Sequence, residues 1–86
     1  MTGRAEISFL ISAELARQDR KWGDQSAKPM LLWLAILTEE VGEVAKAILE
    51  GAEGALDVEP LRRELVQVAA VAVAALEALE KQEATP

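Results

Sequence analysis

The chain has 86 residues, a net charge of −6, no cysteine and no histidine. Those absences exclude disulfides, thiolate metal sites, Ser-His-Asp and Cys-His catalysis, imidazole acid–base chemistry and ordinary zinc sites. If the chain does chemistry, carboxylates and a hard, oxygen-seeking cation are its most available tools. The acidic balance argues against a nucleic-acid groove, which needs a basic face to displace counterions.

One small domain spanning 1–86 is expected, with its last residues, about 82–86, frayed. The N-terminal "ISFLISAEL" is interrupted at Glu14 and lacks a small-residue cleavage site, so it does not read as a signal peptide. The longest apolar run, Leu65 to Leu76, contains Gln67 and falls short of the roughly 20 residues that cross a bilayer. The expectation is a soluble, cytoplasmic protein without membrane or nucleic-acid partners.

Three helices are predicted in chain order. The first covers about Arg4 to Lys21, with Ile7, Leu10, Ile11 and Leu15 at helical spacing. "WGDQSAKP" interrupts it, Gly23 acting as a stop and Pro29 as a new start. The second covers about Pro29 to Glu50. "GAEGALDVEP" then supplies Gly51 and Gly54 as an ending, Asp57 as an N-cap and Pro60 as a first-turn residue of the third helix. That helix runs to about Lys81. The fold class is all-α, with no strand required.

The second helix carries two stripes. Met30, Leu34, Leu37, Val41, Val44 and Ile48 step alternately by four and three, like a packing seam. Trp33, Ile36, Glu40, Glu43 and Ala47 follow the same spacing roughly 100° away. Both can face protein, leaving Thr38, Gly42 and Lys46 for solvent and Glu39 at the border. Glu40 and Glu43 therefore interrupt a stripe that is otherwise apolar.

The third helix, "ELVQVAAVAVAALEAL", is apolar nearly all round. Two short companions cannot cover it, so a second copy is expected to complete a four-helix-bundle-type core, as a homodimer or a dimer of dimers. Glu64 and Gln67 share a face with Val71, Ala75 and Ala78.

Carboxylates at i and i+3 converge on one spot. If Glu40 and Glu43 oppose Glu64 and Gln67, three carboxylates and an amide oxygen surround one cavity. Like charges gathered there oppose folding unless a cation relieves them, and all-oxygen ligation favours Mg²⁺ or Mn²⁺. Spacing alone leaves a second reading open, in which Glu39, Glu40, Glu43 and Glu64 are solvated surface glutamates.

"LTEEVGEVAKAI" followed by "ELVQVAAVAVAALEAL" resembles the MazG-like group of all-α nucleoside triphosphate pyrophosphohydrolases. The motif of that group is Glu-Glu-x-x-Glu, a spacer, then Glu-x-x-Asp. Glu39, Glu40 and Glu43 match its first half and Glu64 opens its second. "RQDRKWGDQ", Arg17 to Gln25, is similar to the N-terminal segment of small phage and bacterial members, so the likeness extends from about Arg17 to Leu79.

The resemblance implies an enzyme that cleaves a nucleoside triphosphate to the monophosphate and pyrophosphate, with nucleotide-pool house-cleaning as its expected role. Glu40, Glu43 and Glu64 would ligate Mg²⁺, with Gln67 at the fourth ligand position. Glu39 would help hold a second metal or orient the attacking water. Phosphoryl chemistry needs mainly positioning and charge neutralisation, which suits a chain without histidine.

The departure is Gln67, where the motif has aspartate. An amide oxygen still ligates Mg²⁺ but brings no charge. A subgroup variant, weaker metal binding, altered substrate choice and lost activity are all open. Two alternatives accompany the hydrolase: a non-catalytic helical oligomerisation module with a degenerate site, and an enzyme similar to phosphoribosyl-ATP pyrophosphohydrolase.

Lys21, Trp22, Asp24, Lys46 and Arg63 are candidates for substrate contact. For Trp22 the other reading is a ring covering the core, with Lys21, Asp24 and Gln25 as polar loop neighbours. For Lys46, Arg62 and Arg63 it is pairing with nearby glutamates on a helix surface. Trp33 reads as core packing, with base stacking second. Gly42 either admits a close helix or is simply tolerated.

Overall fold

Gly23 ends the first helix as its position in the sequence suggests. In the computed structural model its φ is +73°, and its N–H donates to the Asp19 carbonyl at 2.9 Å. With ψ at −160° this is a backbone region that glycine alone enters without strain, because it lacks a Cβ. The structure describes residues 3–51 and 57–84. They form three helices and no strand: α1 (Arg4–Trp22), α2 (Met30–Gly51) and α3 (Val58–Ala84).

The other boundaries also have local causes. Pro29 lies just before α2, and its carbonyl accepts from the N–H groups of Leu32 and Trp33 at 3.0 and 3.2 Å. Asp57 caps α3, its Oδ1 accepting from the Glu59 N–H at 3.2 Å. Pro60 falls in the first turn, where a missing N–H costs nothing. Gly54, expected to help end α2, lies outside the described residues.

α3 is the spine. α2 folds back antiparallel along one face of it, and α1 lies on another face, with Ile7 and Leu10 beside Val58 and Leu65. Among the described residues no Cα of α1 comes within 8 Å of a Cα of α2. The result is long and thin, 52 × 27 × 21 Å, with a radius of gyration of 14.6 Å. A compact chain of this length would have a radius of about 12 Å.

The seven-residue loop between α1 and α2 is tied to the far end of the spine. Lys81 Nζ lies 3.2 Å from Asp24 Oδ2, and Gln82 Nε2 donates to the carbonyls of Ser26 and Lys28 at 2.9 and 2.8 Å. Of residues 82–86, expected to fray, 82–84 belong to α3, with Gln82 bonded to the loop, and 85–86 lie outside the described residues.

The core is small. Among the described residues only Trp33, Ala70, Val71 and Ala78 are buried hydrophobics; Met30, Ile36, Leu37, Ala74 and Ala75 pack around Trp33, Val71 and Ala78. The indole N–H of Trp33 is buried with no acceptor, and the Lys28 ammonium stands 5.4 Å from the ring centroid.

The two stripes of α2 are used unequally. Trp33, Ile36, Glu40 and Ala47, from the stripe holding glutamates, are buried or half-buried against α3. On the purely apolar stripe, expected as a packing seam, Leu34, Val41 and Ile48 are 59, 51 and 47% exposed. The protomer thus packs the mixed stripe and leaves half of the greasy one open. Phe9, Leu31, Leu49 and Leu76 are also more than half exposed. Gly42 is exposed and would meet nothing within 4 Å if it carried a Cβ, so within the protomer it admits no close neighbour.

Candidate functional site

Glu40 projects from the packed stripe of α2 toward α3, where Glu64 and Gln67 occupy one face, three residues apart. The Gln67 amide is oriented by what surrounds it: only its nitrogen can face two carboxylates. So placed, Nε2 lies 3.1 Å from Glu40 Oε2 and 3.1 Å from Glu64 Oε2. The two amide hydrogens are thereby matched to two carboxylates from different helices.

The electrostatics follow from this geometry. Burial pushes the Glu40 carboxyl above the ordinary glutamate value, and the charges of Glu64, Glu39, Glu43 and Glu14 push it further in the same direction. A neutral amide satisfies hydrogen bonds but leaves the negative charge uncompensated.

Glu43 lies one turn beyond Glu40 and is exposed. It shares with Glu64 the wall of an open depression of about 330 Å³, together with Lys46, Glu50 and Asp57. Lys46 reaches Glu50 at 4.0 Å, a pairing one turn apart on the helix surface. Glu39 is exposed beside Glu40. Among the described residues, no group of three or more Asp or Glu side chains converges tightly enough to hold a metal by itself.

Lys21, Trp22 and Asp24 are elsewhere. Asp24 pairs with Lys81, which is 17 residues along α3 from Glu64, or about 26 Å of helix. Its carboxyl is drawn down to about 2, first by the Ser26 backbone N–H and then by the Ser26 side chain and Lys81. Trp22 is 62% exposed, with the Lys21 ammonium 4.9 Å from its ring centroid, so it does not cover the core. Trp33 packs in the core as expected. Arg63 faces the α1 side of α3, and Arg62 pairs with Glu59.

Glu14 on α1 was not anticipated. It is half-buried, it contributes to the charge felt by Glu40, and it is held by Arg17 and Gln18. The Arg17 hydrogen bond keeps its carboxyl below the ordinary value against the opposing effect of burial. A signal was present: Ile7, Ile11, Glu14 and Gln18 share one helical stripe, so Glu14 interrupts an apolar row as Glu40 does.

No family model, no curated protein and no solved structure matches this chain. The functional reading therefore rests on its own residues and on the motif resemblance.

Proposed function

We propose that this chain is a Mg²⁺-dependent nucleotide pyrophosphohydrolase of the MazG-like type, converting a nucleoside triphosphate to the monophosphate and pyrophosphate. The observation that carries the reading is the meeting of Glu40, Glu64 and Gln67 between α2 and α3, with Glu43 at the rim. Solvated helix faces have no cause to bring two carboxylates around one half-buried amide, whereas a site for a hydrated dication does.

The donor set fits Mg²⁺. This ion keeps several waters and characteristically takes one or two carboxylates plus substrate phosphates rather than a full protein cage. A site with fewer than three convergent carboxylates suits that habit. When bound, the ion supplies charge neutralisation at the phosphates and a more acidic water. Glu40 and Glu64 would hold it, Glu43 would join from the rim, and Glu39 is the candidate for orienting the attacking water.

Gln67 then has two uses. In the metal-free protein its nitrogen bridges the carboxylates. Turned over about its last torsion, the same amide presents an oxygen to the cation. Aspartate at this place could do only the second.

A second copy belongs to this reading, as a homodimer or dimer of dimers. Leu34, Val41 and Ile48 form an apolar stripe on α2 with no cover in the protomer, and the buried core is too small for so long a molecule.

One observation favours the alternative, a non-catalytic helical oligomerisation module: the amide already satisfies both carboxylates without a cation. Incubation with a panel of nucleoside triphosphates and phosphoribosyl-ATP in the presence of Mg²⁺, scoring pyrophosphate release, separates the two. Release that disappears in Glu40→Gln supports the hydrolase. No release from any substrate, with no Mg²⁺ binding by calorimetry, rejects it in favour of the module.

A further inference from the structure

We propose that the groove between α1 and the first half of α3 binds the phosphate chain of a di- or triphosphate. Its walls carry Arg17 and Arg20 from α1 and Arg62 and Arg63 from α3. These are all the arginines of the chain except Arg4. Two carboxylates, Glu14 and Glu59, share the lining, so four positive and two negative charges leave an excess of two positive charges. On a protein of net charge −6, that local reversal of sign calls for a cause.

The arginines are of two kinds. Arg17 is fixed by Glu14 through Nε to Oε1 at 2.9 Å and Nη2 to Oε2 at 2.6 Å, and Arg62 is paired with Glu59. Arg20 and Arg63 form no ion pair among the described residues. Two forks are thus held in place and two keep their charge for a ligand. Planar guanidinium groups match phosphate oxygens in pairs, which makes a phosphate chain the fitting anion.

Ordinary surface roles account for only part of this. Arg20 lies in the last turn of α1, where the helix dipole favours a cation. Arg62 and Arg63 lie near the start of α3, the end that favours anions instead. Their placement raises the positive potential of the groove rather than relaxing it. The groove measures about 380 Å³ and is open to solvent, so a phosphate chain can enter from the side.

The groove adjoins the carboxylate cluster. Glu64 follows Arg63 in sequence, and Glu14 on the groove wall is one of the charges that reach Glu40. In the proposed hydrolase the groove would hold the phosphate tail of the nucleotide while Glu40 and Glu64 hold the metal. That role in catalysis rests on the hydrolase reading, whereas the anion binding itself does not.

The test is calorimetric titration of the full chain, free of metal, with inorganic pyrophosphate and tripolyphosphate. Both should bind, tripolyphosphate more tightly, and added NaCl should weaken both. Arg20→Gln combined with Arg63→Gln should lower affinity about tenfold or more, with helicity and thermal midpoint unchanged. Absence of binding by the parent chain overturns the proposal, as does binding that the double variant leaves intact. Tighter binding of a single-stranded oligonucleotide than of tripolyphosphate also overturns it. Failure to hydrolyse any nucleotide would reject the enzyme but not the groove.

Discussion

Gln67 on α3 reaches Glu40 on α2: with its amide assigned so that nitrogen rather than oxygen faces the carboxylates, Nε2 stands 3.1 Å from a Glu40 oxygen. In the same orientation the nitrogen meets Glu64 at 3.1 Å, so the amide supplies both carboxylates with a donor while leaving their charge uncompensated. Its removal is informative. Gln67→Leu leaves two carboxylates facing each other without a donor, and should cost about 1–2 kcal/mol in metal-free protein at pH 7. Urea unfolding reads the loss directly, and an unchanged midpoint would show that the bridge carries no stability.

The Glu40 carboxyl gives a pH signature. Its value is raised in the folded chain, so its contribution favours folding below the unfolded value of 4.5 and is lost as pH rises through the folded one. Glu40→Gln should therefore make the metal-free protein more stable at pH 7 and flatten its stability profile above 4.5. Asp24 works in the opposite sense: its contribution is present above 3.8 and disappears as pH falls toward about 2. Thermal midpoints from pH 2 to 8, for both parent and Asp24→Asn, should show that acid-side loss diminished in the variant.

Two glycines should answer to alanine with opposite signs. Gly23 has φ of +73°, and a Cβ there should cost about 1–2 kcal/mol. Gly42 stands in mid-helix with open space around it, so alanine should stabilise the chain by about 1 kcal/mol through helix propensity. Denaturant midpoints measured under the same conditions test both. Destabilisation by Gly42→Ala would mean that another helix packs close against that position in the assembled protein.

The exposed stripe of α2 predicts association. Light scattering should give a mass of two chains or more, and Val41→Lys should lower it while leaving the α2–α3 contact untouched. A parent chain that runs as a stable monomer would remove the second copy from the proposed function.

Much of this arrangement was legible in sequence because each feature had a local cause. Gly23, Asp57 and Pro60 mark helix ends through backbone geometry, and Trp33 takes its core place from helical periodicity. Glu40, Glu43, Glu64 and Gln67 were expected to surround one cavity if their helices opposed; Glu40, Glu64 and Gln67 do meet, whereas Glu43 is exposed at the rim. What was not legible depends on the third dimension. Nothing local says that α1 lies beside the Arg62–Arg63 turn, so the arginines of the two segments did not look like one set. Nor does periodicity say which of two apolar stripes will be taken by α3. The anchoring of Gln82 on loop carbonyls is a contact across more than fifty residues, invisible to any window along the chain.

The absence of any close approach between α1 and α2 has a consequence for how the molecule assembles. α2 and α3 are sequence neighbours and can zip together after a short closure, while α1 must find α3 across the whole intervening hairpin. Folding should therefore proceed with the hairpin first and α1 docking last. Amide protons of α1 should exchange before those of Val71 and Ala78, in a partly opened form that keeps Glu40, Glu64 and Gln67 together while the arginine groove has already come apart.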